Sequence, residues 1–263
     1  MRLGRKMFRL IFCAVFGVLV SCKELKPNCE ELQKKQLLML LDVSDEELYE
    51  TIETDVASNF SKFMSESPFK EVNECEVFKL SIGSFSAIDE LTLAEAQIGI
   101  TKKGISGKEK RQLSNPKPLI SLLKNSLANF KSQSTNEEFN NSTNLTLTIV
   151  KAILGMDDDA ENTLLISSDL IVNNRLEKIN FYKKVPTDVS ETIRTLIDAD
   201  MKQKLTEKLA SMYQLKVIVV QKSEPQNRVD KKEVKAFWLK TFEEFGIEDV
   251  QFVDNLTNKV VWD

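Results

Sequence analysis

The sequence predicts an α/β fold: a Rossmann-like, doubly wound, mostly parallel sheet with one antiparallel edge strand and helices on both faces. Three observations predict it. Short runs that are apolar at every position, such as LLMLL at 37–41, are what strands buried on both faces look like. They alternate with longer stretches whose apolar residues recur at helical spacing, the pattern of crossover connections between parallel strands. Gly and Pro number only 8 and 6 in 263 residues, and no Pro/Gly-rich linker or repeat divides the chain. That continuity favours one domain over two.

The elements follow in order. QLLMLL (36–41) is a fully buried strand, and the helical segment after it carries Leu48, Ile52, Val56, Phe60, Phe63 and Met64 before Pro68 ends it. EVFKLSIGSFSA (76–87) is a second strand. LAEAQIGIT (93–101) is a third, joined by a short acidic turn and hence antiparallel at an edge. KPLISLLKNSLANF (117–130) is helical, SQSTNEEFNNSTN (132–144) a polar loop, and LTLTIVKAIL (145–154) a short helix. NTLLISSDL (162–170) is a buried strand ending on an acid, and 188–213 one long charged helical segment. LKVIVVQK (215–222) is a β-branched strand, KKEVKAFWLKTFEEFG (231–246) an amphipathic helix closed by Gly246, and DVQFVDNL (249–256) the last strand. Trp238 and Phe242 form a helical stripe that belongs to the core rather than to a partner surface.

The N-terminus is a processing segment, not part of the fold. Arg2, Arg5, Lys6 and Arg9 precede an apolar run of 11 residues (10–20), too short to span a bilayer, which needs ~20. Leu19-Val20-Ser21-Cys22 then resembles the bacterial lipobox. That resemblance implies acylation of Cys22, removal of 1–21 and a protein anchored to, not spanning, a membrane. The expected partition is a signal peptide at 1–21, a lipidated N-terminus and tether at 22–34, and one α/β domain at 35–263. Lys23, in place of the Asp that favours inner-membrane retention in lipoproteins, implies the outer membrane.

Loss of 1–21 leaves 32 basic against 40 acidic residues, net −8. Nucleic acid is therefore not an expected partner, since phosphate binding needs a basic stripe. The chain has no His, which excludes Ser-His-Asp and Cys-His catalysis and any His-based zinc site. It also lacks a phosphate-cradling Gly-rich loop and a nucleophile elbow. Asp157, Asp158 and Asp159 read as solvated surface. Cys13 leaves with the signal and Cys22 takes lipid, so Cys29 and Cys75 remain as an even pair in an oxidising compartment.

The stretch LLMLLDVSDE (37–46) ends a buried strand on Asp42, Ser44, Asp45 and Glu46. Ser44-Asp45-Glu46-Glu47 is a capping box, and the acids complement the helix macrodipole. Ser142 or Thr143 can cap the helix at 145, and Asp169 whatever follows it. Asp42 lies before the cap residue and is not explained by it. Asp42 and Asp169 both close buried strands, so in a sheet of this class they should meet at the carboxyl edge, where ligands bind.

From element order and three short stretches, the chain over roughly 36–256 resembles a von Willebrand factor type A (vWA) domain. The resemblance implies a divalent cation held by a D-x-S-x-S loop, a Thr and an Asp. Asp42, Ser44, Thr143 and Asp169 match; Glu46 replaces the last Ser, and Leu170 stands where that family usually has Gly. Mg²⁺ or Mn²⁺ suits such hard oxygen donors, and Glu46 would ligate directly or fill the open position. In this fold the first two strands run parallel as neighbours, so Cys29 and Cys75, just before them, should form a disulfide. The expected function is a non-enzymatic, lipid-anchored envelope adaptor that binds an envelope or extracellular protein. The alternatives are a degenerate metal-free scaffold of an envelope or secretion assembly and, further off, a Mg-dependent hydrolase.

Overall fold

A computed structural model describes residues 29–42, 49–50, 53–54, 72–85, 91–134, 145–174, 178–222 and 229–254. Its centre is a six-stranded sheet built from β1 (Gln33–Asp42), β2 (Glu76–Phe85), β3 (Ala94–Ile100), β4 (Ala160–Ser168), β7 (Gln214–Gln221) and β8 (Val250–Val253). The order is β3-β2-β1-β4-β7-β8, with β5 (Asn173–Asn174) and β6 (Ile179–Asn180) forming a separate small hairpin. Every pairing in the large sheet is parallel except β2 with β3, the antiparallel edge. The fold is the α/β, Rossmann-like class read from the sequence.

Side-chain alternation explains why β1 is apolar throughout. Leu37, Met39 and Leu41 enter one core layer, and Leu38 and Leu40 the other. The first layer is closed by α2 (Lys117–Ser134), through Leu119, Leu123, Leu127 and Phe130, and by Tyr49 from helical residues 49–50. The second is closed by α3 (Leu145–Leu154), α4 (Val189–Leu196), α5 (Ala199–Ser211) and α6 (Lys231–Phe245). Strand β2 sends Phe78, Leu80 and Ile82 into the first layer and Phe85 into the second, and Gly83, on the same side as Phe85, leaves room for side chains packed over it. A Cβ there would sit 2.8 Å from Leu93 Cδ2 and 3.0 Å from Leu91 Cδ1, the two leucines that fold over it.

The structure differs from the expected elements in five places, one being that α2 runs on to Ser134, into the stretch 132–144 expected as a polar loop. β1 starts at Gln33, because its polar first residues pair with β2 from Gln33↔Glu76 onward. Helix α1 (Gly107–Leu113) was not expected; it buries no residue and so shows no apolar period, although Ser106 accepts from Glu109 N at 3.2 Å. The spacing Ser106-x-x-Glu109 was the available signal. The segment 188–213 is two helices, not one. Ile197 is extended (φ −136°, ψ 141°), and Asp198 then caps α5 as Asp188 caps α4, each accepting from the amide three residues on. The β5–β6 hairpin has two residues per strand, below any periodicity. Gly246, at φ +80°, closes α6 by donating to Glu243 O and Phe242 O, as its position suggested.

Cys29 and Cys75 form the expected disulfide, with Cα atoms 5.6 Å apart. It sits at the amino edge of the sheet, where Gln33 N donates to Cys75 O at 2.8 Å. At the same edge the three consecutive acids each find a lysine: Asp157 with Lys79 (3.9 Å), Asp158 with Lys208 and Asp159 with Lys34 (2.6 Å). They stay solvated, so each pair contributes ~0–1 kcal/mol, but together they tie the α3–β4 turn to β1, β2 and α5. Lys34 and Asp159 favour each other's charged form: their hydrogen bond raises the lysine pKa and lowers the carboxyl's.

The Tyr49 hydroxyl donates to Leu127 O at 2.5 Å, fastening the start of the post-β1 helical segment to α2. Burial, then the charge of Glu53, pushes its pKa up to about 12. A folded pKa above the unfolded value of ~10 gives stability that is full below pH ~10 and is lost as pH rises towards 12. An alkaline absorbance titration should therefore show a late phenolate phase, absent in Tyr49→Phe. A late phase that survives in Tyr49→Phe would contradict this packing.

Candidate functional site at the carboxyl edge of the sheet

Strand order reverses between β1 and β4, and the crevice beyond their carboxyl ends is where open α/β sheets bind ligands. Asp42 ends β1 and is 2% exposed; Asp169 follows β4 directly and is 6% exposed. The register Leu41↔Ser167 puts Asp42 beside Ser168, whose hydroxyl donates to Asp42 Oδ2 at 2.5 Å. Leu170 N donates back to Ser168 Oγ at 2.8 Å, and Lys222 N, just past β7, donates to Ser168 O at 2.9 Å. Asp169 Oδ1 accepts from Ile171 N at 2.8 Å, an Asx turn. The two acids therefore lie on neighbouring strand ends, joined through Ser168.

Leu170 has φ +63°, the left-handed region, at a cost of roughly 1–2 kcal/mol for a residue with a Cβ. This is the position where the vWA resemblance puts Gly. The backbone turn is one that Gly adopts freely; here the side chain differs and the strain is held by packing. Leu170 is fully buried in the second core layer, and Trp238 Nε1–H donates to its carbonyl at 2.9 Å. Trp238 is thus core, as expected, and also fixes the turn that carries Asp169. Lys222 is buried at the same edge, and burial together with the charge of Lys231 lowers its pKa, opposed by Asp254.

Ser44, Glu46, Thr143 and Cys22 lie outside the described residues. Among the described residues no group of three or more His, Cys, Asp or Glu side chains could hold a metal ion. The donor chemistry here is two carboxylates and the Ser168 hydroxyl, hard oxygens within the one or two carboxylates that Mg²⁺ usually takes from protein. One further observation fits a polar ligand. Thr146, in the first turn of α3, has a buried hydroxyl with no hydrogen-bond partner. α3 runs back from the carboxyl edge, since Asp157 beyond its far end donates its amide to Gln36 Oε1 near the start of β1 (2.9 Å). Its first turn therefore lies on the side of the sheet where Asp42 and Asp169 end their strands. Sequence reasoning missed both hydroxyl residues. Ser168 had a signal, a polar Ser-Ser pair ending an apolar run; Thr146 had none.

No protein-family model matches the chain, and no curated protein matches it. Among solved structures, proximal thread matrix protein 1 from the mussel byssus is similar at 10% identity and a TM-score of 0.37, over 87% of this chain and 45% of that one. Human COPII-coat protein Sec24c is similar at 11% identity and a TM-score of 0.35, over 73% of this chain and 26% of that one. The chain thus spans less than half the length of either protein, and likeness at this level carries no functional argument.

Proposed function

We propose that the chain is a lipid-anchored adaptor of the bacterial cell envelope whose vWA-like domain binds a partner protein at the carboxyl edge of its sheet. The observation that supports this best is the pair of buried carboxylates, Asp42 and Asp169, on adjoining parallel strand ends where the strand order reverses. Burying carboxylates is costly unless something compensates their charge. In this reading Mg²⁺ or Mn²⁺ supplies that compensation, with Asp42 and Asp169 as ligands, Ser44, Thr143 and Glu46 as the remaining candidates, and a carboxylate of the partner as the incoming group. No catalytic step is assigned to the site. A metal-free scaffold is the second reading, favoured by the hydrogen bonds that Asp42 and Asp169 already accept from Ser168 and Ile171.

Anchoring rests on Leu19-Val20-Ser21-Cys22, with retention in the outer membrane as the expected address. Cys22→Ala should abolish globomycin-sensitive processing and release the protein from the membrane fraction. Normal processing and retention of Cys22→Ala would remove the lipid anchor from this account.

A further inference from the structure

The arm between β3 and α2 carries a charge opposite to that of the molecule. Lys102, Lys103, Lys108, Lys110 and Arg111 are all exposed, and none forms an ion pair among the described residues. Glu109 is the only acid between Thr101 and Leu113 of a chain whose net charge is −4. Ile105 packs the root of this arm against the first core layer, but helix α1 itself buries no residue, and Leu113 at its end is an apolar side chain 39% exposed. Five cations without ion pairs among the described residues and an exposed leucine, on a helix that buries none of its residues, suit a flat, anionic, partly apolar surface.

Its place in the fold says which surface. β3 is antiparallel to β2, so its last residue, Ile100, returns to the amino edge of the sheet, where it pairs with Glu76. Cys75 N donates to Ile100 O at 2.6 Å, and Gly104 N donates to Glu74 Oε2 at 3.3 Å. The disulfide pins Cys29 to that same corner. From Cys22 to Cys29 the chain can span at most ~25 Å, at ~3.3–3.6 Å per residue. An acyl chain on Cys22 therefore holds this corner, and the basic arm that leaves it, close to the bilayer. Glu30, Glu31 and Glu74 border the corner with the opposite sign, so the projecting arm makes the contact and not the root of the tether.

We propose that residues 102–113 form a membrane seat that docks on anionic phospholipid headgroups and turns the opposite, carboxyl edge of the sheet, with Asp42 and Asp169, away from the bilayer. The proposal rests on the lipid anchor at Cys22 for its geometry, but the arm's contact can be read separately from anchoring.

The test uses the full lipidated protein, with a fluorophore on Leu113→Cys, in vesicles of phosphatidylcholine with or without phosphatidylglycerol and with a nitroxide quencher on the headgroups. Flotation reads the anchor; quenching reads the seat. The expected result is flotation with both vesicles, and strong quenching only with phosphatidylglycerol. That quenching should vanish as salt rises from ~0.1 to ~1 M, which shortens the screening length from ~10 to ~3 Å. It should also vanish when the five cations are changed to Gln, a set that leaves no buried group unpaired. Flotation with quenching indifferent to lipid charge overturns the seat and leaves the anchor. Flotation on anionic vesicles alone, at low salt, supports the seat and removes the anchor. No flotation on either vesicle overturns both.

Discussion

Trp238→Ala is expected to destabilise the protein by about 3–5 kcal/mol, the usual cost of emptying a large aromatic site in a core. Trp238 is fully buried, packs edge-on against Phe237 (5.9 Å between centroids) and tilted against Phe242 (5.9 Å), while Phe237 meets Phe181 at 4.9 Å. The same substitution also leaves the Leu170 carbonyl without the indole donor. Trp238→Phe separates the two effects, because it keeps most of the ring and removes only the N–H. Its expected cost is about 1–3 kcal/mol for a buried acceptor left unpaired, on top of a small packing loss. Urea unfolding followed by circular dichroism measures both variants. A Trp238→Phe protein as stable as the wild type would mean that the hydrogen bond does not hold the Leu170 turn, and the explanation of its positive φ would fall with it.

The second large effect is that of the disulfide. A bridge between Cys29 and Cys75 spans 46 residues of sequence, and on the chain-entropy account it is worth up to about 4 kcal/mol, with about 2–4 typical of native bridges. Replacing both cysteines by Ser should lower the melting temperature by roughly 5–15 °C in a domain of this size. The loss should be largest at the amino edge, where the bridge fastens the entering chain to the start of β2. Amide exchange at Lys34 and Lys35 should then speed up more than at Met39 and Leu40. A double variant that melts with the wild type would show that the ion pairs and the β1–β2 ladder already fix this edge unaided.

The parts of this fold that were legible in the sequence are those where one periodicity dominates. The run Leu37–Leu41 reads as a strand buried on both faces and is one, and Leu145–Leu154 has the bounds read from LTLTIVKAIL. Helix α1 was not legible because an exposed arm obeys no burial pattern, and its one cue was a cap. The break at Ile197 was hidden because a buried β-branched residue reads as one more apolar position; Asp198, which caps the next helix, marks the stop. Of the candidate site, Asp42 and Asp169 stood out because carboxylates that end apolar strands are costly to bury. Ser168 did not, since a serine in a buried strand reads as a small filler until its neighbour across the register is known. The strain at Leu170 had no sequence signature beyond the missing Gly.

That Asp42 and Asp169 form a cation site, rather than a satisfied polar edge, is tested most directly by thermal unfolding in EDTA and in Mg²⁺ or Mn²⁺. The comparison includes Asp42→Asn and Asp169→Asn. These substitutions remove a charge but keep an oxygen able to accept from Ser168 Oγ and Ile171 N, so the contacts seen here survive. A cation bound only by the native state stabilises it by RT ln(1 + [L]/Kd), ~2.7 kcal/mol at a hundredfold excess over Kd. The account predicts a higher melting temperature with Mg²⁺ or Mn²⁺ for the wild type and no such rise in either Asn variant. Identical wild-type curves with EDTA and with the cations would contradict it, and would leave the metal-free scaffold as the reading of this edge.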